Sequence, residues 1–528
     1  MSLFPRLFAW VFCAALLAAS PAAAFPPGAT SPAGAPLDAN GQVQSAANAI
    51  ALGALPPKAS SYTGVVATGA VIPNTISGSN LQIMCRAPMI MRGNVTSGKL
   101  AFDIPGFYVP GAAAESAPAA NLNCTGALEY PVGVEQQMTS GGGASTSLTV
   151  PAGGHAVSDI FANPPPAGAM FWTRLYCTTT GAGRVVYRTI GENNGTACTV
   201  GASGVADQTM GGTVANNLNT QSPASNAGGV LTPIVIGQTN SRSFCLTGDS
   251  RTAGTGDTFD GGNNVDVGQL ARSVGPFAAY INLGVGSDQA AQYIASHTNR
   301  LALSGYCSDQ IWAYPFNDFY SGGVNAATAE GYATTFKGYF AAGTNVSLVT
   351  IMPSTTAASV SITTLVANGP QMTATVASTA LNFVGEVVTI AGATPSTDNG
   401  ACTINAIVSG TSFTCLNPLG TGTATATGTV TYTAPWLDPI NQTITSSGVH
   451  NPDRVSYNQW CRTTSVSLGF KACLDIANVV EAGQDSGTWS AFDADGRPGA
   501  LTGDGIHPNI AGYLKIKASG VISPKTLY

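Results

Sequence analysis

The sequence predicts an α/β fold. A parallel sheet wrapped by helices is preceded by an all-β region and interrupted by a smaller β insertion. Three observations carry this expectation. From about residue 231, short apolar strands alternate with helical stretches, the pattern of a parallel sheet with crossover helices. Before that, alternating runs at 100–104, 147–150 and 184–188 are separated by Gly, Pro and Asn clusters, the pattern of a β-sandwich. Residues 358–433 are almost free of charge and alternate Thr, Val, Ala and Gly with period two in places. They read as a small β-sandwich inserted into the α/β part, since insertions settle where chain ends meet on a surface loop.

In chain order, residues 1–24 read as a targeting segment. Arg6 supplies the positive start, 7–19 the apolar run, and Ala22, Ala23 and Ala24 a small-residue cleavage point. The run is too short for a comfortable membrane span. The expectation is therefore a secreted protein, extracellular or periplasmic, cleaved near Ala24 and without stable membrane insertion. Residues 25–60 are rich in Pro, Ala and Gly and read as a flexible lead-in. The β-sandwich is expected over 61–230, with Phe107, Tyr108, Phe171, Trp172 and Tyr176 filling its core or, on an exposed face, stacking on sugar rings. The α/β part is expected over 231–357 and 434–528. With 528 residues the chain exceeds one ordinary core. A net charge of −6 and only 9% charged residues give no footprint for nucleic acid.

Of 11 cysteines, Cys13 lies in the targeting segment. The other ten suit disulfides in an oxidising compartment. Spacing does not fix connectivity. The simplest local pairing is Cys85–Cys124, Cys177–Cys198, Cys245–Cys307, Cys402–Cys415 and Cys461–Cys473. No C-x-x-C pair occurs and the four histidines are dispersed, so no metal site is expected.

Within the α/β part, strands are expected at 244–246, 279–283, 307–313, 345–351 and 471–476, and helices at 288–303, 326–342, 453–462 and 509–521. Phe244, Cys245 and Leu246 end a strand that Gly248, Asp249 and Ser250 break. A serine after such a turn, at a helix start, exposes its hydroxyl beside unpaired backbone N–H groups. An ordinary strand-to-helix turn capped by Asp249 or Ser250 uses the same residues. Near the C-terminus, Asp504-Gly505-Ile506-His507-Pro508 sets a carboxylate three residues before an imidazole. Gly505 and Pro508 keep that stretch non-helical, so one loop can supply a base and the group that orients it.

These blocks resemble the SGNH (GDSL-type) hydrolases, whose first block is G-D-S and last is D-x-x-H-P. Asn317-Asp318 resembles the family's G-x-N-D block, with Pro315 in the glycine's place. Gly286, or Ser287 after a one-residue shift, matches the second block's glycine. Ser250, Gly286 and Asn317 all follow expected strand ends and should share one rim of the sheet. The resemblance implies a three-layer α/β/α hydrolase fold. It also implies Ser250 as nucleophile, His507 as base and Asp504 as its orienting partner. On the same resemblance, the Ser250 and Gly286 N–H groups and the Asn317 amide would form the oxyanion hole, and no metal or organic cofactor would be needed. The expected function is a secreted serine esterase acting on acyl esters, acetyl above all, of a polysaccharide. A lipid or polyester esterase is one alternative. A non-catalytic carbohydrate-binding or surface protein on a degenerate scaffold is another.

Overall fold

The computed structural model describes residues 55–528 apart from 97–98, 190–195, 211–228, 259–265, 358, 380–381, 421–429, 434–435, 437–438, 440–441, 446–450 and 498. The expected targeting segment, its cleavage point and most of the lead-in lie outside the described residues.

The centre of the molecule is a six-stranded sheet. Its order is Ala70–Val71, Ala279–Asn282, Ser243–Gly248, Asp309–Ala313, Asn345–Val349 and Cys473–Leu474, and every neighbouring pair is parallel. Side chains alternate between its faces with period two. Phe244, Leu246, Tyr280, Ile311 and Ala313 pack in one cluster with Leu270, Val274, Ile476, Val480 and Ile516 from helices on that face. Trp312, Tyr314, Val346 and Leu348 pack on the other face with Ala290, Tyr293, Ala333 and Phe336. The result is three layers. Helix Ala326–Gly338 shows how the sequence encodes one of them: Asn325 caps it by accepting from Thr328 N, and Ala326, Ala329, Ala333 and Phe336 form its buried stripe. The expected helix at 288–303 is two shorter helices, Ala290–Ala295 and Thr298–Ser304.

Among the described residues, the β-rich region before the sheet contains two large antiparallel sheets and a two-stranded one, Thr75–Ile76 with Val186–Tyr187. One is ordered Tyr62–Val65, Ile234–Thr239, Leu100–Pro105 and His155–Val157. The other runs Ala197–Gly201, Gln82–Ile90, Met170–Thr178, Leu122–Glu129 and Glu135–Gln137, with Leu148–Val150 also on Leu122–Glu129. Phe102, Ile104, Phe107 and Phe171 lie in their common core, where Cys245, Ile281 and Leu283 of the parallel sheet and its loop also pack. Phe107 and Phe171 therefore fill the interior. The Trp172 ring is covered by the Arg86 guanidinium, 4.5 Å from its centroid. The region is not separate from the α/β part: Ala70–Val71 is an edge strand of the parallel sheet, and Ile234–Thr239 pairs back with Tyr62–Val65 and Leu100–Pro105.

The insertion differs from the expected small sandwich. Strands Ser359–Asn368, Gln371–Val376, Ser412–Leu416, Gly400–Ser409, Val387–Ala391 and Val430–Thr433 form a closed barrel. Closure comes from Val430–Thr433, which pairs with both Ser359–Asn368 and Val387–Ala391. Local alternation does not specify such a long-range pairing. The barrel's core includes Ile362, Met372, Val388, Ile404 and Phe413. The chain enters and leaves it through an antiparallel pair, Thr355–Ala357 with Gln442–Ile444.

Among the described residues, ten cysteines form five disulfides. Two correct the local pairing expected above: Cys85 joins Cys198 and Cys124 joins Cys177. The reason is register, because Cys198 lies directly opposite Cys85, and Cys177 opposite Cys124, on neighbouring strands. Cys245–Cys307, Cys402–Cys415 and Cys461–Cys473 form as expected. No helix among the described residues is long and apolar enough to cross a membrane.

Candidate active site

The strand Ser243–Gly248 is buried along its whole length and delivers the next residues to the sheet's carboxyl rim. At Gly248 any Cβ would collide with the Thr252 hydroxyl and lie 3.0 Å from the Ala313 carbonyl, so the tight turn requires glycine. Asp249 caps the following turn by accepting from Arg251 N at 2.9 Å. Ser250 thereby starts the one-turn helix Ser250–Ala253 and is 8% exposed.

The Ser250 hydroxyl lies 2.8 Å from His507 Nε2. His507 Nδ1 lies 2.7 Å from Asp504 Oδ2. The other Asp504 oxygen accepts the backbone N–H groups of Ile506 and His507, at 2.8 and 2.7 Å. Burial works to raise the Asp504 carboxyl. The hydrogen bond from His507 and the two backbone donors outweigh it and hold the group well below the ordinary carboxylate range. An ionised carboxylate on Nδ1 favours a proton there and leaves Nε2 free to accept the serine proton.

The loop that carries this pair is fixed on several sides. Gly505 adopts φ +78°, and a Cβ there would collide with the Thr355 carbonyl. Its carbonyl accepts from Trp489 Nε1 and Thr355 N, each at 2.9 Å. The Thr502 hydroxyl accepts from Gly505 N at 2.8 Å and donates to the His507 carbonyl at 2.7 Å. Arg251 ties this loop to the serine's turn. Its Nε donates to the Ile506 carbonyl at 3.0 Å, and Nη1 and Nη2 donate to the Met352 and Pro353 carbonyls at 3.1 and 2.9 Å. Burial pushes this guanidinium down to about 10, with Asp249 opposing.

The second and third blocks flank the serine. Leu283 N and Val285 N donate to the Leu246 and Gly248 carbonyls, which extends the 279–282 strand past the turn that carries Ser250. Gly286 follows, half-buried, and Ser287 is exposed at φ +62°. Asn317 is half-buried in the helix Phe316–Tyr320, and its Nδ2 donates to the Asp288 carbonyl at 2.9 Å. Neither Gly286 nor Asn317 is hydrogen-bonded to Ser250 or His507. Beneath them, the Asp288 carboxylate accepts from Arg300 Nη1 at 2.5 Å and from the Tyr314 hydroxyl. Asp318 accepts from Ala290 N and Ala291 N at 2.7 and 3.0 Å. Desolvation raises Asp318 to about 6, against those donors.

Sequence reasoning missed Arg251, Asp288, Thr502 and Trp489, and took Asp318 only as part of a motif. In a chain with 9% charged residues, an arginine directly after the G-D-S serine is a signal, because a buried guanidinium must find acceptors. Thr502 and Trp489 carry no such mark. Among the described residues, no three His, Cys, Asp or Glu side chains group as a metal site.

No family model and no curated protein matches the chain. Among solved structures it is similar to a salicylyl-acyltransferase, SsfX3, from a tetracycline biosynthetic pathway. That match is 11% identical, covers 84% of this chain and 81% of that one, and has a TM-score of 0.26. It is also similar to an acetyl xylan esterase, Est2A, from the rumen bacterium Butyrivibrio proteoclasticus, at 9% identity over 55% of this chain and 77% of that one, with a TM-score of 0.17.

Proposed function

We propose that the chain is an exported serine esterase of the SGNH type that hydrolyses acyl esters, acetyl esters among them, carried by a carbohydrate. The observation that carries this reading is the unbroken series Ser250 Oγ, His507 and Asp504, with separations of 2.8 and 2.7 Å. Those are hydrogen-bond distances, and the order is nucleophile, base, orienter.

In the proposed mechanism, Ser250 Oγ attacks the ester carbonyl and His507 Nε2 takes its proton. Asp504 holds the ring and stabilises the imidazolium. The N–H groups of Ser250 and Gly286 and the second N–H of the Asn317 amide hold the oxyanion. Collapse of the tetrahedral intermediate expels the alcohol, which receives its proton from His507. Water, activated by the same ring, then hydrolyses the acyl-enzyme. The residues named suffice without a metal or organic cofactor.

The test is hydrolysis of p-nitrophenyl acetate and p-nitrophenyl octanoate by the mature protein and by Ser250→Ala. Turnover that favours acetate and disappears in the folded Ser250→Ala protein is expected. A preference for octanoate would move the substrate to lipids or polyesters. Undiminished hydrolysis by folded Ser250→Ala would overturn the assignment.

A further inference from the structure

The β-rich region reaches the rim of the proposed site through one loop. Tyr108 and Ser116 pair across its base, with N–H to carbonyl bonds of 3.0 and 2.8 Å. Gly111, within the loop, adopts φ +66°, and a Cβ there would lie 3.2 Å from the Gly286 carbonyl. The loop's far end carries Glu115, whose backbone N–H donates to the Ser296 hydroxyl at 3.0 Å.

The Glu115 side chain is 4% exposed and meets the start of the helix Thr298–Ser304. Its Oε2 accepts from Asn299 N at 2.7 Å and from Asn299 Nδ2 at 3.2 Å. Its Oε1 accepts from Arg300 N at 3.0 Å and from Arg300 Nε at 3.1 Å. The Arg300 side chain is fully buried, and so is that of Asp288, with which it pairs through Nη1. Asp288 Oδ1 also accepts from Gln289 N at 3.0 Å. The carbonyl of this same Asp288 accepts from Asn317 Nδ2 at 2.9 Å. A buried series of contacts thus runs from a carboxylate of the β-rich region to a proposed oxyanion donor, with Arg300 and Asp288 between them.

A guanidinium removed from water and shared by two carboxylates is held by both, and loss of one leaves its charge poorly compensated. Glu115 therefore fixes Arg300, Arg300 fixes Asp288, and the Asp288 carbonyl takes one N–H of the Asn317 amide. Resting on the esterase reading above, we infer that Glu115 is a positioning residue for the reaction: through Arg300 and Asp288 it sets the Asn317 amide for the oxyanion, so that the β-rich region completes the hydrolase site and is not a separate module. The oxyanion exists only as the reaction proceeds, so misplacing its donor lowers kcat and spares ground-state binding.

The test is steady-state hydrolysis of p-nitrophenyl acetate by the full-length protein, Glu115→Gln, Asn317→Ala and the double variant. Glu115→Gln removes the charge opposite Arg300 and should lower kcat at least about tenfold, with KM changed less than about twofold. In the Asn317→Ala background the same substitution should lower kcat less than about threefold, because the donor it sets is gone. A purely structural role gives the same loss in both backgrounds, and that result would overturn the inference. Glu115→Asp keeps the carboxylate at shorter reach and should recover part of kcat. Where Glu115→Gln does not fold, the loss in Glu115→Asp is read in the two backgrounds instead. The ¹H–¹⁵N signal of the Asn317 side-chain amide, identified by its absence from Asn317→Ala, gives a readout independent of turnover and should move in the Glu115 variant. Serine-dependent hydrolysis with losses that multiply and an unmoved signal would overturn the inference and leave the esterase reading standing. A moved signal with no ester hydrolysed would overturn the esterase reading and leave the link between Glu115 and Asn317 standing.

Discussion

Arg251 Nε donates to the carbonyl of Ile506 at 3.0 Å, which bonds the residue after Ser250 to the residue before His507. This contact runs alongside the Ser250–His507 hydrogen bond and joins the same two loops, 257 residues apart. Arg251→Met removes the tie and leaves the Met352 and Pro353 carbonyls without their donor as well. It is expected to lower kcat at least about tenfold, with a smaller effect on KM, because small displacements of positioned groups are costly. Arg251→Lys should recover part of the loss. An unchanged kcat in a folded Arg251→Met protein would show that the tie does not position His507.

Asp504→Asn keeps the size of the side chain but removes the charge that holds the Nδ1 proton. If Asp504 orients His507 as proposed, kcat is expected to fall by roughly 10⁴, as when a serine triad loses its carboxylate charge. Steady-state kinetics with p-nitrophenyl acetate measures this. A loss below tenfold would mean that the backbone contacts of the 504–507 turn orient His507 without the carboxylate.

Asn317→Ala removes one proposed oxyanion donor and the bond to the Asp288 carbonyl. A fall in kcat of roughly 10²–10³ is expected. If only KM changes, Asn317 serves binding or loop structure and not the transition state.

Glu129 gives the fold a calculable response to acid. The residue is 1% exposed. Arg86 Nε and Arg174 Nε each donate to its Oε2 at 2.8 Å, and Gly133 N donates to Oε1 at 2.9 Å. Burial works to raise this carboxyl, but those donors pull it from the usual 4.5 down to about 2. Its folded value lies below its unfolded one, so its stabilisation is complete above about pH 4.5 and lost as the pH falls toward 2. Glu129→Gln removes the carboxylate shared by two buried guanidinium groups, while Arg174 keeps Glu135 at 3.1 Å; breaking a buried ion pair typically costs about 3–5 kcal/mol. The Tm gap between wild type and Glu129→Gln should be wide at pH 7 and shrink between pH 4.5 and 2. A gap independent of pH would refute the account.

Peptide mapping without reduction should recover Cys85 linked to Cys198 and Cys124 linked to Cys177. Recovery of a Cys85–Cys124 peptide would contradict the strand register itself. Removing either bridge is expected to cost about 2–5 kcal/mol, as is typical of native disulfides.

What the sequence made legible was local. The strands of the parallel sheet end at Gly248, Asn282 and Ala313, where glycine, asparagine and proline break an apolar run. Residues just beyond such breaks, Ser250 and Asn317 among them, stand out in the sequence. What stayed hidden depends on partners distant in sequence. Ala70–Val71 is too short to show any period, and its partner is Ala279–Asn282. The cross-pairing of Cys85 with Cys198 required knowing that their strands are neighbours. The supports under the 504–507 turn, Thr502 and Trp489, are ordinary residues until the fold brings them to Gly505.

The route by which the barrel joins the rest of the chain has a mechanical side. Both chain connections pass through the two-stranded stalk, Thr355–Ala357 with Gln442–Ile444. The first residue of that stalk, Thr355, donates its N–H to the carbonyl of Gly505 at 2.9 Å, two positions before His507. A load carried by the barrel therefore bears on the peptide that seats the imidazole. Tension along the stalk would be transmitted to the turn that holds His507 against Ser250.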